Sequence, residues 1–100
     1  MSQAHIYIIG DVVGVGFRAW VKIHAKQHNI KGWIRNAHHN EDIFGRGGGV
    51  EALFQGDTFA INSMIELVKK GPTVSRVDDV EVYWQQPTEV FNEFEIRASK

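Results

Sequence analysis

The sequence contains no cysteine, which removes disulfides, thiolate nucleophiles and cysteine metal sites together and fits a reducing compartment. It has no surplus of positive charge either. Lys and Arg number 11 against 12 Asp and Glu, a formal charge of -1, so there is no broad basic field to hold a nucleic-acid backbone and any anion chemistry must be local. Nowhere do about 18 apolar residues run together, as a membrane-crossing helix requires. The start, MSQAHIYIIG, lacks a basic region ahead of its apolar run, and that run is broken by His5, Tyr7 and Gly10. These absences lead us to expect a cytoplasmic protein with neither a membrane nor a nucleic acid as partner. What is present is ordinary for a packed core: 100 residues, 43% of them hydrophobic, read as one domain over residues 1–100.

Along the chain, two periodicities alternate. HIYIIGDV, residues 5–12, is β-branched and aromatic and reads as a strand. From Arg18 the spacing changes, and Phe17, Val21, Ala25 and His28 recur as one face of a helix that Asn29 can close in the left-handed conformation. KGWIRNA, residues 31–37, is a second strand, with Gly32, Ile34 and Asn36 on one face and Trp33 and Arg35 on the other. HHNEDIFGRGGG has no period and reads as a loop. VEALFQG, residues 50–56, alternates again. Asp57 is placed to cap a helix over residues 58–70, where Ile61, Met64, Ile65 and Val68 form the apolar stripe, Lys69 and Lys70 suit the negative end, and Gly71-Pro72 stops it. VSRVDDVEVYW and VFNEFEIRA supply two more strands. The order βαββαβ plus a terminal strand predicts an α+β, ferredoxin-like split-βαβ sandwich: an antiparallel sheet with two helices on one face.

The informative stretch is GDVVGVGFRAW, residues 10–20, where a strand breaks into glycines and an arginine opens a helix. A helix N-terminus leaves about four N–H groups unpartnered and carries roughly half a positive charge. Gly14 and Gly16 permit the backbone angles that turn the N–H groups of Val13, Gly14, Val15, Gly16, Phe17 and Arg18 into one concavity, and the Arg18 fork matches phosphate oxygens. At about 4 Å and an effective dielectric near 20, one such charge pair is worth of order 4 kcal/mol before desolvation. Two better-known glycine motifs fail. GVGFRA lacks the acidic residue that a dinucleotide site places after the second strand, and Gly16 is followed by Phe17-Arg18 rather than by the Lys and Ser/Thr of a P-loop. Spacing alone leaves open a plain glycine turn with a solvated arginine.

Taken together, GVGFR at 14–18, GWIRN at 32–36, VEA with QG within 50–56, and KKGP at 69–72 resemble, in order and spacing, the acylphosphatase family. The likeness covers nearly the whole chain outside residues 38–48. It implies hydrolysis of carboxyl-phosphate anhydrides to carboxylate and inorganic phosphate, with no metal and no organic cofactor. By this resemblance Arg18 is the phosphate-binding arginine, residues 13–17 are the loop whose amides wrap the same phosphate, and Asn36 positions the attacking water. The expected partner is a small-molecule acyl phosphate, with inorganic phosphate as product and inhibitor, and the protein is expected to be a monomer.

Three departures from the family pattern stand out. Asp11 replaces a basic residue, Val13 replaces a glutamine, and residues 38–48 add about eight residues where a tight turn is usual. That insertion is either a lid bringing Arg46 or a histidine to the substrate, or a glycine-rich hairpin without function. Rival constellations are weaker. His24 and His28 have helical i, i+4 spacing but no HExxH, and His38-His39 are followed by Glu41 and Asp42, without a complete metal-ligand pattern. Trp33, Phe54, Tyr83 and Trp84 would have to share a face to make a base-stacking, nucleic-acid-binding module, and the RNP1 pattern is missing. A non-catalytic acyl-phosphate-binding module, as in the N-terminal domain of hydrogenase maturation proteins, is the remaining alternative.

Overall fold

The computed structural model describes residues 1–38 and 48–100. Ala4, Ile6 and Ile8 are fully buried and alternate with half-exposed His5, Tyr7 and Ile9, the two-residue period that makes β1 (Ser2–Asp11) a strand with one face in the core. The period then lengthens. Phe17, Val21 and Ala25 are the buried residues of α1 (Phe17–Gln27), and the His28 N–H closes it on the His24 carbonyl at 3.0 Å. Asn29 comes next with φ of 57°, the left-handed turn expected of it. β2 (Lys31–Ala37), β3 (Gly49–Gly56), α2 (Thr58–Lys70), β4 (Arg76–Gln85) and β5 (Phe94–Ile96) complete the order.

The five strands lie in the order β4-β1-β3-β2-β5. The first four pair antiparallel, as expected, whereas β5 lies parallel to β2, with Phe94 opposite Gly32 and Ile96 opposite Ile34. The sheet is therefore mixed. The terminal strand is also shorter than VFNEFEIRA suggests, because residues 86–93 are spent crossing from one sheet edge to the other. Four inter-strand spacings amount to about 19 Å, within the reach of an eight-residue connection. Gln55, buried at the end of β3, holds it on the way, donating to the Glu89 carbonyl at 2.8 Å and accepting from Phe91 N–H at 3.0 Å.

Both helices pack on the face that carries Ala4, Ile6, Ile8, Ile34, Val50, Ala52 and Phe54, and the single core lies between. α1 sits over β2 and β5, α2 over β1, β3 and β4. Because β1 and β2 are each antiparallel to β3, they run the same way and end at the same edge of the sheet, two spacings or about 10 Å apart. Register links them: Ile8, Val50 and Asn36 form one row on the helix face, and Tyr7, Glu51 and Arg35 form the next row on the other face.

Candidate active site

At the end of β1 the pairing with β4 shifts register between Ile9 and Gly10, and the chain leaves the sheet. Val12 is buried and anchors the base of the glycine loop. Gly14 and Gly16 then have φ of 80° and 78°, the left-handed region where L side chains are strained. A Cβ on either would meet nothing within 4 Å, so these glycines are required by the backbone path rather than by crowding.

Gly16 is the N-cap of α1, and having no side chain it makes no capping bond. Trp20 N–H is the first to find a helical acceptor, the Gly16 carbonyl at 3.1 Å. Among the described residues, nothing accepts from the N–H groups of Phe17, Arg18 or Ala19. The first turn also holds no acidic residue. It holds Arg18 instead, a cation at the positive end of the helix dipole, an arrangement that costs an isolated helix about 0.3–1 kcal/mol. Open donors and a misplaced cation share one remedy, an anion. A concavity of about 150 Å³ lies here, lined by Gly14, Gly16, Phe17 and Arg18 on one side and by Ile96 of β5 on the other. Val13 and Val15 do not line it; both are half-buried, and Val15 packs against the core.

Asn36 is 8% exposed and stands near the end of β2 on the helix-covered face, in the same row as Ile8. Its side-chain Oδ1 is buried without a hydrogen-bond partner among the described residues. An acceptor left so costs roughly 1–3 kcal/mol, a sign of a group reserved for something else. The backbone is held: its carbonyl accepts from Lys100 N–H at 3.0 Å. Asn36 is not part of the concavity's lining. It lies two residues beyond Ile34, whose partner Ile96 reaches the concavity, at the same sheet edge as the end of β1 from which the glycine loop departs.

Asp11 is exposed and faces Arg76 of β4 in register, but the Arg76 guanidinium donates to the Asp78 carboxylate at 3.0 and 3.4 Å, so the Asp11 charge still opposes a bound anion. Of the candidate lid and metal residues of the insertion, His39, Glu41, Asp42 and Arg46 lie outside the described residues, while His38 is exposed and its N–H donates to the Lys100 carbonyl at 2.8 Å. Ile96 was not among the sequence candidates. Its alternation with Phe94 was visible in FEI, but only the parallel pairing with β2 carries it to the loop.

On the other sheet face, Glu51 of β3 is 3% exposed. Its Oε1 accepts from Arg35 Nε at 2.7 Å and forms an ion pair with Arg35 Nη2 at 2.7 Å, and its Oε2 accepts from His5 Nε2 at 2.6 Å. Burial would raise this carboxyl, but the bonds from Arg35 and His5 and their charge hold it below its ordinary value. Tyr7 beside it is pushed up, first by burial and then by the Glu51 charge.

The rival constellations do not assemble. Among the described residues no three His, Asp or Glu side chains gather as a metal would require. His28 Nδ1 donates to the His24 carbonyl at 2.8 Å, and the His24 ring packs on Trp20 with centroids 4.6 Å apart. The four aromatics of a stacking platform are split. Register puts Trp33 and Tyr83 on the open face, while Phe54 is in the core and Trp84 is on Phe54's side of the sheet. No helix of the described chain is long and apolar enough to cross a membrane.

This geometry has close counterparts. The solved acylphosphatase from Bacillus subtilis superposes with a TM-score of 0.83 at 35% identity, covering 97% of this chain and 99% of that one. Full-length HypF, solved in a phosphate- and nucleotide-bound form, contains a similar module: TM-score 0.83 at 28% identity, covering 98% of this chain and 12% of that one. An acylphosphatase of Roseiflexus sp. (strain RS-1) is 40% identical over 88 residues, which is 88% of this chain and 86% of that protein. A family model described as Acylphosphatase matches residues 4–96, and with sequence and fold in agreement, the chain belongs to the acylphosphatase family.

Proposed function

We propose that the protein hydrolyses acyl phosphates to a carboxylate and inorganic phosphate, with the amides of residues 13–18 and the Arg18 guanidinium as phosphate cradle and Asn36 as holder of the attacking water. The observation that carries this reading is the start of α1, where three N–H groups without acceptors and an arginine at the positive dipole end surround one concavity. A phosphoryl group supplies the missing acceptors and the missing negative charge in one ligand.

An acyl phosphate already carries a good leaving group, so the protein contributes orientation and charge stabilisation more than acid catalysis. The cradle amides and Arg18 neutralise the equatorial oxygens. Asn36 Oδ1, a buried acceptor with no partner among the described residues, takes one hydrogen bond from water and fixes its line of attack on phosphorus. The water oxygen forms the new P–O bond, and the bond from phosphorus to the acyl oxygen breaks with its electron pair on the departing carboxylate. Both water protons end on phosphate oxygens. No side chain here needs to act as a base, and the released phosphate, held by the same donors, inhibits competitively. The protein acts as a monomer in the cytoplasm, without metal or organic cofactor.

The test is hydrolysis of benzoyl phosphate, followed by loss of the anhydride absorbance in excess chelator and with added inorganic phosphate. Turnover that survives the chelator and is inhibited by phosphate is expected. Binding of benzoyl phosphate without turnover would make the domain a carrier of acyl phosphates instead.

A further inference from the structure

The cradle and Asn36 are on different strands that do not touch. The glycine loop hangs from the end of β1 and Asn36 sits near the end of β2, with β3 between them. Their separation is set by two strand–strand spacings, and a shift of about 1 Å in such a separation can cost a hundredfold in rate. Backbone ladders set the register of β1, β3 and β2, and packing of α1 and α2 covers the sheet, but apolar side-chain packing adds no direction of its own.

We infer that Glu51 is a positioning residue for the reaction, strapping β1, β3 and β2 together on the sheet face opposite the site so that Asn36 is held at working distance from the cradle. The strap crosses all three strands that matter. His5 belongs to β1, Glu51 to β3 and Arg35 to β2, and the bonds of 2.6 and 2.7 Å run across the intervening backbone. Arg35 immediately precedes Asn36, so fixing one fixes the other, on opposite faces of one strand.

The ends of the strap are themselves confined. The Arg35 guanidinium lies over the Trp33 ring at 4.8 Å, and His5 stacks on Tyr7 with ring centroids 4.7 Å apart. Stability alone is a poor reason for a carboxylate at the centre of a sheet. A buried ion pair replaced whole by apolar residues is commonly neutral or stabilising, and Leu53, two residues along β3 on the same face and 7% exposed, shows that this face accepts them. What charged hydrogen bonds add over apolar contacts is direction, with two guanidinium nitrogens on one oxygen and an imidazole on the other.

The inference rests on the hydrolase reading, and the experiment separates the two. Glu51→Gln, Arg35→Leu, Arg35→Lys and His5→Phe are assayed with benzoyl phosphate, and the inhibition constant for inorganic phosphate is measured in each, well below every melting temperature. Glu51→Gln is expected to lower kcat about tenfold or more, the size of effect small misplacements produce. Phosphate inhibition should stay within about twofold, because the cradle belongs to β1 and α1 alone. Arg35→Leu should behave likewise and Arg35→Lys should recover part of the loss. If Glu51→Gln fails to fold, His5→Phe, which keeps the stacked ring and removes only the donor, carries the test with the same split between kcat and inhibition. Unchanged kcat in a folded variant overturns the inference, as does a fall in kcat matched by an equal loss of phosphate inhibition. An inactive wild type overturns the hydrolase reading itself.

Discussion

At the start of α2 the Asp57 carboxylate accepts from Phe59 and Ala60 N–H at 3.1 and 3.4 Å, whereas at the start of α1 Gly16 offers no side chain and the N–H groups of Phe17, Arg18 and Ala19 have no acceptor among the described residues. Each helix comes after a strand and packs on the same sheet face, so the backbone requirements are alike. Their chemistry is not. One start is finished by the chain itself, and its donors are no longer available to anything else. The other is left incomplete, with a cation where the dipole favours an anion. In a fold built from two such halves, the half that is worse as a piece of structure is the one we propose to bind.

The sharpest way to break this contrast is to remove the cation from the open start. Arg18→Ala is expected to lower kcat/KM with benzoyl phosphate by about a hundred- to a thousandfold, and to weaken phosphate inhibition in step, as loss of a charged donor at a phosphoryl site does. Arg18→Lys should recover only a small part, since a point charge does not replace a planar fork. Inhibition by phosphate equal to wild type in Arg18→Ala would remove the assignment.

Next in size is Asn36→Ala, expected to cut kcat by roughly a hundredfold while phosphate inhibition stays near wild type. Thermal unfolding adds a second readout. Because the Oδ1 acceptor is buried and unpartnered, its removal should leave the melting temperature no lower than wild type, unlike most truncations at buried positions. Asp57→Ala is the mirror experiment. It should cost about 1 kcal/mol of stability in urea unfolding and leave kcat and phosphate inhibition unchanged.

The contrast continues through the sheet, where Asn36 Oδ1 lacks a partner among the described residues on one face and Glu51 has partners on the other. The Glu51 carboxyl is held below its ordinary value of 4.5 because Arg35 and His5 outweigh the cost of its burial. A lowered acid binds fewer protons folded than unfolded, so its contribution is complete above 4.5 and is lost as pH falls through the folded value. Unfolding followed between about pH 6 and pH 3 should show the wild type losing stability faster than Glu51→Gln, the difference growing below about 4.5. Parallel curves would mean that this carboxylate titrates alike in both states.

How much of this was legible depends on whether a feature is local. α2 is read from the sequence to the residue, cap included, because Asp57, the apolar stripe and Gly71-Pro72 all act within a few residues. The left-handed Asn29 and the two faces of β2 are local too. The glycines and Arg18 are adjacent in sequence, so their cluster was visible, and Asn36 joined them only through resemblance to a family and through strand order. The direction of β5 was not legible, since it depends on residues 86–93 crossing the sheet end and on Gln55 holding them there. For the same reason Ile96 was missed as a wall of the concavity and Glu51 as the centre of a strap, for each is defined by partners on other strands.

The smallest expected effect tests the comparison most directly, because it concerns stability rather than rate. If Arg18 is kept at the positive end of α1 only for an anion, then in phosphate-free buffer Arg18→Ala should be the more stable protein, by about 0.3–1 kcal/mol, a rise of a few degrees in melting temperature for a domain of this size. Alanine's helix preference works in the same direction. Added inorganic phosphate should reverse the order, since a ligand present at about a hundredfold its dissociation constant stabilises the protein that binds it by about 2.7 kcal/mol, while the variant gains little. The crossing of the two melting curves is the signature, for an arginine kept for packing gives a variant that melts lower in both buffers. An arginine merely lying in solvent gives two proteins that phosphate shifts alike, and then the open start of α1 is unfinished structure and not a site.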